Sequence, residues 1–152
     1  MRTKTKIGIL VSSSLSGGNN VILEHAFHIH QRNRVEVTLI FPTETSDADL
    51  SWFPRICGVP RMTLSEAENH EFDCVIATYW RTCFQLNKLN AKAYLYFNQS
   101  VESRFFDEKD FNSISAAESA YLLGLPIITE ANWIKNYVKE KYDQDAIVVH
   151  NG

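Results

Sequence analysis

The stretch 7–20, IGILVSSSLSGGNN, constrains the fold of this chain more than any other. A continuous, β-branched apolar run gives way to small hydroxyl residues, then to Gly17-Gly18 and a helix-like segment. Such a run is the pattern of a strand covered on both faces. A small-residue turn that opens onto a helix gathers free backbone N–H groups at the positive end of the helix dipole, which suits an anion. The same residues also make a plain strand-to-helix turn, although paired glycines with Asn19 and Asn20 are more permissive than such a turn requires.

The rest of the chain repeats this alternation. Residues 21–31 carry Val21, Ile22, Ala26 and Ile29 at helical spacing, and Asn33-Arg34 ends the pattern. VEVTLIF at 35–41 reads as a second strand stopped by Pro42, which has no N–H to give a ladder. The pattern weakens over 43–61, where a short helix is expected, with a minor strand near 61–64. Strands are then predicted at 73–78, 93–98, 125–129 and 146–149, and helices at 81–89, 113–123 and 133–142. Residues 105–111 read as a charged, aromatic loop. Ser115 and Glu118 have the S-x-x-E spacing of a capping box, and Gly124 suits the residue after a helix end. The expected fold is α/β, a doubly wound Rossmann-like domain with a mostly parallel sheet of about six or seven strands. Ligands of such sheets gather at the carboxyl ends of the strands.

Composition narrows the function classes. At 152 residues, 45% hydrophobic and 22% charged, the chain is a globular single domain over 1–152 with enough length for a core. A net charge of −3 gives no basic footprint, which argues against nucleic acid. Cys57, Cys74 and Cys83 have neither CxxC spacing nor an even count, so neither a disulfide framework nor a zinc site is expected, and a reducing, cytoplasmic setting fits. The start MRTKTKIGILV has the order of a signal peptide, but its apolar part is about five residues long, short of an h-region, and a first strand is the expectation. His25 and His28 lie one helical turn apart without an evident third ligand, so no metal is expected.

The turn at 12–20 lacks G-x-G-x-x-G and any Gly-Lys-Ser/Thr step, which disfavours a dinucleotide or nucleoside triphosphate site. Strand ends supply the other candidates. Tyr79-Trp80-Arg81 offers an aromatic face for a sugar and a guanidinium for an anion, or else a helix start packed by its own aromatics. Gln99 and Glu102 follow the next strand. Glu130 and Asn132 lead into the last helix, as ligand-binding groups at a strand end or as residues that simply cap the helix or favour its dipole. Trp52, Phe53, Phe105 and Phe106 either shape a groove or cover the core, and Lys135, Lys139 and Lys141 either touch anionic lipid or make a solvated face.

The order of strand, Ser/Gly-Gly turn, helix and second strand, followed by ITEANWIKNYVKEKY and the terminal VVHNG, resembles the N-terminal Rossmann-like domain of GT-B glycosyltransferases. It is most similar to the large retaining family that builds bacterial polysaccharides. The resemblance runs from Lys6 to Gly152 and implies that Ser16, Gly17, Gly18 and Asn19 face the donor's diphosphate, and that the Asn151-Gly152 step precedes a linker to a second, donor-binding domain. That missing C-terminal domain would carry the paired-glutamate motif and most nucleotide contacts. Many relatives place a catalytic-site His after the strand that ends here in Asn98-Gln99-Ser100, and this chain has none there, so no catalytic residue is carried over, and Gln99 or Glu102 either replaces it or does nothing. With Tyr79, Trp80, Arg81, Glu130 and Asn132 they are the residues that the resemblance implies for the acceptor or the cleft. The implied partners are a nucleotide-sugar donor and a glycan or lipid-linked glycan acceptor, with no metal and no cofactor. The implied location is the cytoplasm, with peripheral contact at the inner face of the membrane. Two other classes stay open on the residues alone: a stand-alone Rossmann-like module that binds a nucleotide or phosphate, and a reductase cofactor domain.

Overall fold

The computed structural model describes residues 4–151. Met1–Thr3 of the basic start and Gly152 of the terminal Asn-Gly step lie outside the described residues. The fold is α/β and Rossmann-like, with seven strands and intervening helices, and the chain divides into two compact units.

The first unit comprises the residues up to Ile76 together with Asn87–Ala93. Its strands are β1 (Thr5–Leu10), β2 (Val35–Phe41), β3 (Arg61–Thr63) and β4 (Glu71–Ala77), in the order β3-β2-β1-β4 with parallel pairing. Ile7 lies opposite Val37 on one side and Cys74 on the other, so β1 is the inner strand its continuous apolar run predicted. Ile9, Val37, Leu39, Ile40 and Val75 of the strands are buried, as are Ile22, Leu23 and Ala26 of helix α1 (Gly17–Gln31). The short α2 (Leu64–Ala67) follows β3 directly; Thr63 accepts from the Glu66 amide and Glu66 accepts in return from the Thr63 amide.

Gly8 is required by packing in β1. A Cβ there would lie 2.8 Å from Ile40 Cδ1 and 3.2 Å from Phe72 Cε1, and Ile40 is fully buried. Gly8→Ala is therefore expected to destabilise the chain by about 1–2 kcal/mol, the crowding outweighing the entropy gained by removing a glycine. The check is the midpoint of urea unfolding, and an unchanged or higher midpoint would show that Ile40 gives way freely.

The second unit comprises Ala77–Leu86 and the residues from Tyr94 onward. It contains α3 (Trp80–Cys83), α4 (Phe111–Ser119), α5 (Asn132–Tyr142) and the parallel strands β5 (Asn90–Asn98), β6 (Ile127–Thr129) and β7 (Ala146–Val148), with the first residues of β5 counted in the other unit. Ile134 and Val138 of α5 are fully buried, the apolar side of the amphipathic pattern.

Several boundaries differ from the sequence expectation. Helix α1 begins at Gly17, so the glycines form its first turn and lie outside the left-handed region. The helix expected over 81–89 breaks into α3 and a 3-10 turn at Leu86–Lys88. Thr82 Oγ1 accepts from the amides of Thr78 and Tyr79 and donates to the Tyr79 carbonyl, a local arrangement that competes with helix continuation. The loop expected over 105–111 is narrower, because a 3-10 turn spans Glu102–Phe105 and Phe111 already opens α4. The Ser115–Glu118 capping box does not form. Asp110 caps α4 by accepting from the Ser113 amide at 3.0 Å, and Glu118 is engaged elsewhere. Gly124 adopts φ 67° at the helix end, as its position predicted.

Candidate functional site

In the first unit the turn after β1 is built by its own side chains. Ser16 is the N-cap of α1, its Oγ accepting from the Asn19 amide at 3.1 Å. Asn19 Nδ2 donates to Ser12 Oγ at 2.8 Å, the Ser14 carbonyl at 2.7 Å and Ser14 Oγ at 3.0 Å. Trp52 Nε1 donates to the Ser13 carbonyl at 3.1 Å, so this loop aromatic holds the turn, while its neighbour Phe53 covers the core. Asn19 thus acts as an internal brace for the turn. A Cβ on Gly17 would meet nothing within 4 Å. Neither packing nor backbone angle demands glycine at that position, and the open side of the turn is the first turn of a 15-residue helix, where an anion is favoured.

The second unit holds the other candidates. Trp80, at the start of α3, is only 7% exposed, and its ring lies 6.4 Å from both Phe84 and Phe106, with the Arg81 guanidinium 4.7 Å from it. The sugar-stacking reading therefore does not suit Trp80, whose environment is that of an aromatic helix start packed by its neighbours. Tyr79 is partly exposed and Arg81 exposed, and both retain surface for a ligand.

Glu102 explains why this turn is fixed. Its carboxylate is buried and one oxygen accepts from the Trp80 amide at 2.6 Å and from the Tyr96 hydroxyl at 3.1 Å. Burial pushes its carboxyl up to about 7, against the opposing effect of those two donors. The Tyr96 hydroxyl and the Cys83 thiol are both raised by burial and then by the Glu102 charge. Gln99 is half-buried after β5, and the neighbouring Asn98 is fully buried, donating to the Tyr121 hydroxyl at 2.6 Å.

Glu130 ties down the end of the described chain. It accepts from Asn151 Nδ2 through its carboxylate, and its carbonyl lies 3.2 Å from His150 Nδ1. Ala131 is the N-cap of α5 and makes no side-chain cap, so neither Glu130 nor Asn132 has the capping role open to it on sequence, and Asn132 is exposed at the first helical position.

Two features had no readable signal. Glu118 accepts from Ser103, Tyr142, Tyr137 at 2.8 Å and Lys141 at 2.9 Å, partners 15 to 24 residues away. Burial opposes its charge, yet the hydrogen bonds from Lys141, Ser103 and Tyr137 outweigh it and hold the carboxyl below its ordinary value. Arg104 lies over the rings of Trp133, at 5.6 Å, and Tyr137, at 5.2 Å. Of the lysines considered for lipid, Lys139 pairs with Asp143 and Asp145 and Lys141 with Glu118, which neutralises two of the charges that face would present. Phe105 is exposed and Phe106 packs on Trp80. His28 lies 3.5 Å from Glu24, and among the described residues no group of three or more His, Cys, Asp or Glu side chains is placed to hold a metal. Among the same residues no helix is long and apolar enough to cross a membrane.

No protein-family model matches the chain, and no curated protein matches it in sequence. Among solved structures it is similar to the apo form of the lipopolysaccharide outer core galactosyltransferase WaaB, with a TM-score of 0.59 at 16% sequence identity. That likeness covers 97% of this chain and 46% of WaaB, so the chain spans about half the length of the protein it matches. At this level of identity the likeness is one of fold: the chain has the Rossmann-like α/β fold found in part of a glycosyltransferase.

Proposed function

We propose that this chain is the acceptor-side, N-terminal domain of a two-domain GT-B glycosyltransferase that moves a sugar from a nucleotide-sugar to an acceptor hydroxyl in cell-surface polysaccharide synthesis. The observation that carries the reading is a fold likeness that covers nearly the whole chain and less than half of a galactosyltransferase. In this reading the turn of Ser16, Gly17, Gly18 and Asn19 faces the donor diphosphate. As the bond to the sugar breaks, negative charge grows on that leaving group, and the N-terminus of α1 offers a preorganised positive dipole to it. Tyr79, Arg81, Gln99 and Asn132 contact the acceptor, a glycan or lipid-linked glycan. Glu102 and Trp80 set the position of the turn that carries Tyr79 and Arg81, and Glu130 orders the residues that lead toward the second domain. The donor is a substrate, no metal or other cofactor takes part, and the enzyme works on the cytoplasmic side of the membrane.

The test is made in the natural reading frame. The expected result is a second βα domain bearing paired glutamates after Gly152, and transfer of a radiolabelled sugar from a nucleotide-sugar to a glycan acceptor by the full product. Ligand-observed NMR on residues 1–152 alone is expected to show weak or no nucleotide-sugar binding. A frame that stops at Gly152, or tight nucleotide-sugar binding by this chain alone, would favour a stand-alone nucleotide-binding module instead.

A further inference from the structure

The first unit has a recess of about 330 Å³ at the carboxyl ends of β2 and β3, lined by Phe41, Glu44, Thr45, Arg61, Met62 and their neighbours. Phe41 and Thr63, the last residues of the two strands, are register partners there. This is the edge of a parallel sheet where ligands gather, and the volume lies within the range of small-molecule sites. None of the residues assigned to the donor turn or the acceptor lines it.

The charged groups of the recess divide into occupied and available. Glu66 Oε2 accepts from the Thr63 amide at 2.7 Å and the Thr63 hydroxyl at 3.0 Å, which commits it to capping α2. Arg61 is paired with Asp47 through a single guanidinium nitrogen, so its remaining N–H groups are available to donate. Thr45 spends its hydroxyl proton on the Thr43 carbonyl, at 3.1 Å, and keeps lone pairs to accept. Glu44 is exposed and, among the described residues, its carboxylate has no hydrogen-bond or ion-pair partner.

We propose that this recess binds an uncharged sugar ring, with the Glu44 carboxylate accepting from a vicinal diol. A carboxylate offers two oxygens at the spacing of adjacent hydroxyls, and the Arg61 donors complement a ring or hydroxyl oxygen on the other side. Phe41 closes the floor, and the half-buried Met62 supplies a pliable apolar wall for the C–H face of a ring. Anionic ligands are disfavoured, because the recess carries two carboxylates, Glu44 and Glu66, while Asp47 offsets the charge of Arg61. The site deepens the acceptor-side reading and rests on it: it holds a sugar of the acceptor remote from the reacting hydroxyl.

Methionine ε-methyl NMR reads the site directly, since the chain has only 2 methionines and Met62→Leu assigns the signal. Titration with methyl β-D-galactopyranoside is expected to move the Met62 resonance saturably. Sodium D-galacturonate is expected to bind at least ~10-fold more weakly, and Glu44→Ala to weaken the glycoside at least ~5-fold with an unchanged melting temperature. A Met62 signal that does not move, a titration unaltered in Glu44→Ala, or galacturonate binding as well as the glycoside would each overturn the site. The transfer assay on the full reading frame separates the two claims. Transfer with a silent Met62 refutes the recess alone, and a responsive Met62 without transfer supports the recess and refutes the glycosyltransferase reading.

Discussion

Replacing Gly17 with tryptophan is expected to leave the chain folded and to remove sugar transfer from the full enzyme. The structural half of this expectation follows from the space around the residue: an added Cβ meets nothing within 4 Å, and the residue is exposed in the first turn of α1. Its backbone lies outside the left-handed region, so a side chain introduces no strain. Stability is then expected to stay within about 0.5 kcal/mol of the parent, as for a surface position without special contacts. The functional half follows from the chemistry proposed for the turn. A diphosphate that approaches the N-terminus of α1 closely must pass where a tryptophan side chain would stand. Loss of that stabilisation, on the scale of a lost oxyanion donor, lowers transfer at least ~10²-fold. The readouts are a thermal melt of the chain and a radiolabel transfer assay of the complete enzyme. Transfer within a few-fold of the parent, with the melt unchanged, would return the turn to a plain strand-to-helix connection.

The strands were legible because each is short and internally consistent. A parallel strand buried on both faces has to be apolar at nearly every position, and IGILV and VEVTLIF show this without help from the rest of the chain. The passage from strand to helix through Gly17-Gly18 was legible in the same way, but its boundary was not: Ser16 caps α1 by holding the Asn19 amide, so the expected turn residues Gly17 and Gly18 already lie in the helix. What sequence could not show were side chains whose partners are distant. The spacing S-x-x-E at Ser115–Glu118 and T-x-x-E at Thr63–Glu66 are the same local signal, yet only the second forms a capping box. The first fails because α4 already starts at Phe111 under Asp110, which leaves Ser115 inside the helix, and Glu118 is turned to Ser103, Tyr137, Lys141 and Tyr142, none of them a neighbour in sequence. Trp80 shows the same limit. The strand end Tyr79-Trp80-Arg81 reads as three available side chains until Glu102, 22 residues on, fixes the Trp80 amide and Phe84 and Phe106 enclose the ring. Tyr79, Gln99 and Glu130 do follow the strands β4, β5 and β6 as the local pattern implied, whereas which residues at those ends face outward is a property of packing.

Glu102 provides the larger test of stability, because it is a dry carboxylate held by two neutral donors, with no cation bonded to it among the described residues. In the folded chain it keeps its proton up to about pH 7, whereas the ordinary glutamate value is 4.5. Between those values the folded state binds more protons than the unfolded state, so stability falls as pH rises through the window and remains lowered above it. At 1.36 kcal/mol per unit the full effect is on the order of 3 kcal/mol. Glu102→Gln keeps an acceptor for the Trp80 amide and carries no charge. The variant is expected to be the more stable chain at pH 8 and to lose that advantage by pH 5. Aspartates such as Asp49, Asp73 and Asp110 have lowered values and act below this window, and groups common to both chains cancel in the difference. Urea unfolding of both chains across pH 5–8 measures the effect. Parallel pH profiles would mean that Glu102 is ionised throughout and that the bonds from Trp80 and Tyr96 suffice to hold its charge.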